Sequence, residues 1–268
     1  MISTTALLGV IFTIIIAIGL PIGLLIALKG KTGKGLFAAL IGAACFFVFA
    51  LVLEQLLHIL VLPRIMNIPW LYCVYGCLAA GLFEETGRLV GLSFLCKKDR
   101  SLATGLGYGI GHGGIEAILT AGIASIANLS FILSYNAGTS SAALETTAQS
   151  MKAMPGYYFW LGGIERISAI AVHIALSVLI WMVVTKRLPV IFYIVSIFLH
   201  ALTNASAAMM QAGLLTNVLV VEAIVFVTVV CICAFVVWQY RRTAAPAALA
   251  ADALAPAPQE NAPQEDAF

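Results

Sequence analysis

The chain has 268 residues, 62% of them hydrophobic and 10% charged, with a formal net charge of +2. Its mean hydropathy is +1.05. Soluble domains average about 25% charged residues, so this composition excludes a soluble globular enzyme, and the small net charge excludes a nucleic-acid-binding protein. What remains is an all-α, polytopic integral membrane protein in a lipid bilayer, expected in a bacterial cytoplasmic membrane.

Seven stretches are long and apolar enough to span, at residues 5–28, 36–62, 69–95, 101–133, 157–184, 189–210 and 214–240. The first lacks a basic leader and is too long for a signal-peptide core, so it reads as a retained span. The fourth exceeds what a bilayer needs and is expected to tilt, or to break around 122–128. Lys29, Lys31 and Lys34 follow the first span, Lys97, Lys98 and Arg100 the third, Lys186 and Arg187 the fifth, and Arg241 and Arg242 the seventh. The other connections carry only Arg64, Lys152 or no basic residue, so the positive-inside rule gives N-terminus out and C-terminus in. The membrane domain is expected over 1–242, with a four-helix catalytic-type core in spans 3 to 6, residues 69–210. Segment 135–156, rich in Ser, Thr, Ala and Gly, either folds over the bundle mouth or serves as a linker. Residues 243–268, rich in Ala and Pro, lack the apolar content to pack and are expected to form a disordered cytoplasmic tail. The six cysteines show neither zinc-knuckle nor disulfide spacing.

Ionisable residues inside four of these spans share a depth. Glu84 and Glu85, His112, His173 and His200 each lie roughly 11 to 12 residues from the basic end of their span, about 17 Å along a helix and near the middle of a bilayer. A charge there costs several kcal/mol unless paired or hydrated, which makes an intramembrane ionisable residue a candidate functional group. The chain holds four histidines, and three are at this depth, so a polar site is expected at mid-membrane, open toward the cytoplasmic half.

In the third span, Arg88 is four residues from Glu84 and three from Glu85 and reaches either at helical spacing. Two adjacent carboxylates in low dielectric cannot both ionise cheaply, which suits one of them to a base's role. In the fourth span, glycines at 105, 109 and 113 share one face and those at 107 and 111 another, allowing close helix approach. That approach would bring His112 against the helix of Glu84, with Glu116 one turn away as a partner for His112. In the fifth span Glu165 and Arg166 read as a structural pair at the outer mouth, with His173 deeper. In the sixth, His200 and Asn204 share a face, where an amide beside an imidazole can orient water or an oxyanion. Glu54 and His58, four apart in the second span, read as a structural pair, and Glu222 in the seventh has no assigned role. With no GxSxG motif and no intramembrane Asp, a serine or aspartyl protease is not indicated. His112, His173, His200 and Glu85 are candidate zinc ligands.

Glu84-Glu85…Arg88, Tyr108-Gly-Ile-Gly-His112 and His200-Ala-Leu-Thr-Asn204 resemble the three motifs of the CPBP superfamily of glutamic intramembrane proteases. The shorter Glu-to-Arg spacing, with HGGIEA and ERISAIAVHIALS, is more similar to the YhfC branch of intramembrane peptidases. The seven-span layout and glycine-rich fourth span are also similar to the Aph scaffold subunit of gamma-secretase, which lacks the double-Glu motif. The resemblance implies an intramembrane endopeptidase acting on membrane-embedded peptides or proteins. It implies Glu84 as general base, Glu85 and Arg88 positioning it, and His112 and His200 holding water or the oxyanion with Asn204 assisting. Tyr108, Glu116, His173, Glu165 and Arg166 would line or support the site. A glutamate-activated water without a cofactor is expected, because Arg88 competes with a metal for the carboxylates; zinc is the alternative. A non-enzymatic scaffold and a small proton-coupled transporter are the other readings.

Overall fold

In the computed structural model, residues 1–139 and 144–253 are described, with side chains to residue 244. The described residues are all helix and turn, with no strand. The elements are α1 (Thr4–Thr32), α2 (Leu36–Ile65), α3 (Pro69–Val90, extended by a π-helical turn at Gly91–Leu95), α4 (Leu102–Asn136), α5 (Glu145–Ala153), α6 (Tyr158–Val184), α7 (Ile191–Gln211) and α8 (Val218–Ala253). Six of them are long and apolar enough to cross a membrane: α1, α2, α4, α6, α7 and α8. α3 has the length, but it carries Glu84, Glu85 and Arg88 in its interior. Side chains such as Phe37, Phe47, Ile59, Phe198, Phe226 and Val227 stand exposed around the bundle, as they do where the surrounding solvent is hydrocarbon.

Local chemistry marks the ends. The Ser3 hydroxyl caps α1 by accepting from the Ala6 N–H. Gly33 and Gly35, at φ 70° and 94°, turn the chain into α2, a conformation that costs glycine nothing sterically. Pro69 opens α3 at the position where its missing N–H has no partner to lose. α4 is not broken near 122–128: a π-helical turn at Ile118–Gly122 carries the helix through with a shift of face. Past the segment 140–143, which lies outside the described residues, α5 packs Met151 onto an apolar cluster with Ile2, Ala6, Val10 and Ile132. The segment Glu145–Ala153 therefore docks on the bundle. α8 continues through Ala253, past the boundary expected at 242; the rest of the expected tail, 254–268, lies outside the described residues.

α6 runs through the centre, against α1, α3, α4, α7 and α8, while α4 lies between α2 and α6. Glycine permits this. A Cβ on Gly107 would lie 2.8 Å from the Gly35 Cα, and one on Gly109 2.5 Å from the Ile174 Cα. One on Gly111 would collide with the Ala39 carbonyl, and one on Gly42 with that of Tyr108. These are backbone-to-backbone approaches with no flexible tip to move aside. Gly107→Ala is expected to destabilise the bundle by about 1–3 kcal/mol, as overpacking does. Gly76→Ala, with nothing within 4 Å of its new methyl, should not. Thermal unfolding in detergent compares the two.

Candidate metal centre

Four helices deliver the mid-depth residues to one place. α3 contributes Glu84, Glu85 and Arg88, α4 His112 and Glu116, α6 Arg166 and His173, and α7 His200. Glu85 and Arg88 are fully buried, and Glu84 and the three histidines nearly so.

Glu84 is ringed by imidazole nitrogens. His112 Nε2 lies 2.8 Å from Glu84 Oε2, His173 Nδ1 3.9 Å from the same oxygen, and His200 Nε2 3.7 Å from Oε1. Glu85 is committed elsewhere. Its Oε1 accepts from Arg88 Nη1 and lies 2.8 Å from His200 Nδ1. An ionised carboxylate only accepts, so the His200 proton is assigned to Nδ1 and the Nε2 lone pair faces Glu84. Arg88 Nη2 lies 2.8 Å from His173 Nδ1. A guanidinium only donates, so that nitrogen is an acceptor and the His173 proton belongs on Nε2. There it meets the Glu116 carboxylate at Oε2. Glu116 Oε1 accepts from Arg166 Nη1 at 2.9 Å. Arg166 also holds Thr120 at 3.0 Å and pairs with Glu165.

Several placements differ from those expected. Glu116 serves His173 and not His112, because α6 crosses α4 at Gly109 and Gly113: a Cβ on Gly113 would lie 3.0 Å from that of His173. The histidine thus lies between His112 and Glu116. His112 Nδ1 is buried without a partner. Tyr108 lies off the centre, fully buried, donating to the Gly87 carbonyl at 3.0 Å and fixing α4 to α3. Asn204 faces a cavity of about 70 Å³ with Glu116, Arg166, His173, His200 and Thr203. That cavity lies toward the Tyr158 end of α6 and the Gln211 end of α7, away from the basic loops, whereas an opening toward the cytoplasmic half was expected. Glu54 and His58 do pair, at 3.2 Å, and Tyr75 joins them through His58 Nδ1 at 2.9 Å.

The donor set fits a divalent metal. Glu84, His112 and His173 each offer one ligand atom, all within 4.8 Å of one another. Zinc bonds of about 2 Å bring such atoms somewhat closer still. His173 is already in the tautomer a ligand needs, with a carboxylate behind its protonated nitrogen, the usual outer support of a ligating imidazole. Glu85, the carboxylate expected among the ligands, is held by Arg88 and His200, and Glu84 occupies that position instead.

A bundle with a lipid-facing surface around a buried Glu/His centre defines an integral membrane protein with an intramembrane polar site. A family model described as "YhfC intramembrane metalloprotease" matches residues 16–225, and the chain belongs to this family. It is similar to "Uncharacterized membrane protein YhfC" of Bacillus subtilis (strain 168), with 41% identity over 240 residues covering 84% of this chain and 93% of that protein. No solved structure matches. The expectation of a cofactor-free site finds no support: the family is described as metalloprotease and the ligand atoms converge, so zinc is plausible.

Proposed function

We propose that the protein is a zinc-dependent intramembrane endopeptidase acting on membrane-embedded peptides or proteins. Glu84, His112 and His173 hold the metal and His200 is the base. The observation that carries the reading is the ring of three imidazoles around Glu84. Nitrogens facing both of its oxygens favour Glu84 as a ligand over the base implied by the resemblance.

A zinc ion held there would supply Lewis acidity. The remaining work belongs to side chains. Glu85 keeps the His200 proton on Nδ1, so Nε2 can accept one from water, and the same carboxylate stabilises the resulting imidazolium. Arg88 holds Glu85 in place. Asn204, one turn along from His200, offers an amide N–H to a developing oxyanion. The motif order along α3, α4 and α7 supports kinship with the CPBP proteases.

The expected result is about one zinc per purified chain and cleavage of at least one peptide from a panel of membrane-spanning sequences, abolished by chelation and restored by zinc. A metal-free protein that cleaves, or a zinc-loaded one that cleaves nothing in the panel, overturns the assignment.

In this reading α3 is a seventh span, and the chain runs N-terminus out and C-terminus in, with the membrane domain ending near 242. Convergence of the basic loops at one end supports the orientation. Lys34 pairs with Asp99 at 3.4 Å, the Trp181 indole donates to the Arg100 carbonyl at 3.0 Å, and Arg187 lies over the same indole. A reporter fused after Arg242 is expected to score cytoplasmic; an extracytoplasmic score refutes the orientation.

A further inference from the structure

We infer that the site draws its water through the cavity at the α5 end of the bundle, and that water is the cavity's occupant. The inference rests on the peptidase reading, since hydrolysis consumes water. The cavity's volume is about 70 Å³. A single water needs only about 10–15 Å³ of cavity, so there is room for water here. Buried water needs two to four polar partners, and the wall offers the Glu116 carboxylate, the Arg166 guanidinium, the Asn204 amide and the His200 ring.

The mouth is polar too. Glu165 lines the cavity with its side chain 41% exposed, about 10 Å along α6 from its start at Tyr158. Glu222, one turn into α8, stands three residues before Val225, which lines the cavity. Carboxylates at this depth are costly in hydrocarbon and cheap when hydrated. This gives Glu222, which no part of the chemistry uses, a place at the entrance.

Among the described residues, the opposite half is closely packed beside the site. There Tyr108, Leu176, Leu179, Ile180 and Met182 are fully buried in one apolar cluster. The backbones of α2, α4 and α6 also touch through Gly107, Gly109 and Gly111. Water reaching His200 from the basic end would have to cross this layer.

Radiolytic footprinting tests the route. Brief X-ray exposure makes hydroxyl radicals wherever water sits, and these oxidise adjacent side chains. His200 is 3% exposed and Tyr108 0%, so surface solvent reaches neither. The expected result is oxidation of His200 but not of Tyr108, with rapid uptake of oxygen-18 from bulk water. Ala207→Leu, which fills the cavity, should reduce His200 oxidation to the level of Tyr108; Ala169→Val, on the facing wall, is the second plug should the first fail to fold. A silent His200 means a dry cavity and overturns the inference. So does oxidation of Tyr108 alongside it, which means entry from the other end. The readout is independent of cleavage: an inactive protein with oxidised His200 loses the peptidase reading and keeps the port, and an active one with silent His200 loses only the port.

Discussion

Glu84→Gln is expected to abolish both metal binding and cleavage while leaving the fold intact. Glutamine has the same shape and can still meet His112 Nε2, which lies 2.8 Å from Glu84 Oε2. It removes the negative charge that offsets a dication among three neutral imidazoles, and an amide oxygen is a far poorer zinc ligand than a carboxylate. Zinc content by elemental analysis should fall from about one per chain to background, with cleavage lost and the thermal unfolding of the metal-free protein nearly unchanged. Retained stoichiometric zinc would remove Glu84 from the ligand set. Glu116→Gln provides the graded comparison. It weakens the carboxylate behind His173 without removing a ligand, and should lower zinc affinity about 10–100-fold, measured by competition with a chelator.

Arg88→Gln is expected to be the most destabilising single change in the bundle, by about 3–5 kcal/mol, the usual effect of leaving a buried charge without its partner. Arg88 and Glu85 pair with side chains 0% exposed on both sides, so Glu85 would be stranded with only His200 against it. Removing both charges at once, in Arg88→Gln combined with Glu85→Gln, should recover most of the stability but no activity, because His200 then loses the carboxylate that sets its tautomer. Equal unfolding midpoints for the single and double variants would show that the pair is not the source of the stability.

Depth along each span was legible in the sequence because helical rise is constant: counting from the basic ends put Glu84, His112, His173 and His200 level, and the structure brings them together. The glycines of α4 likewise marked a face of close approach. What linear spacing does not carry is which side chain stands beside which across helices. Glu116 shares a face with His112, yet it meets His173, because that pairing depends on where α6 crosses α4. The crossing was written in Gly109 and Gly113, but only as permission for some helix to come close. The side on which the cavity opens was also hidden. Basic loops report which way a chain inserts and carry no information about where packing leaves a void. The π-helical turn at Ile118–Gly122 escaped for a related reason. Apolar composition continues through it unchanged, and only the hydrogen-bond pattern shifts.

The glycine contacts also set a ruler. α2, α4 and α6 meet through main-chain atoms at Gly42, Gly107, Gly109 and Gly111, so His112 and His173 cannot slide relative to each other without driving backbone into backbone. Their distance from the headgroups is then a property of the wall and independent of any peptide laid against it. Chains of unrelated sequence would be met at the same depth, and position in the bilayer would choose the bond.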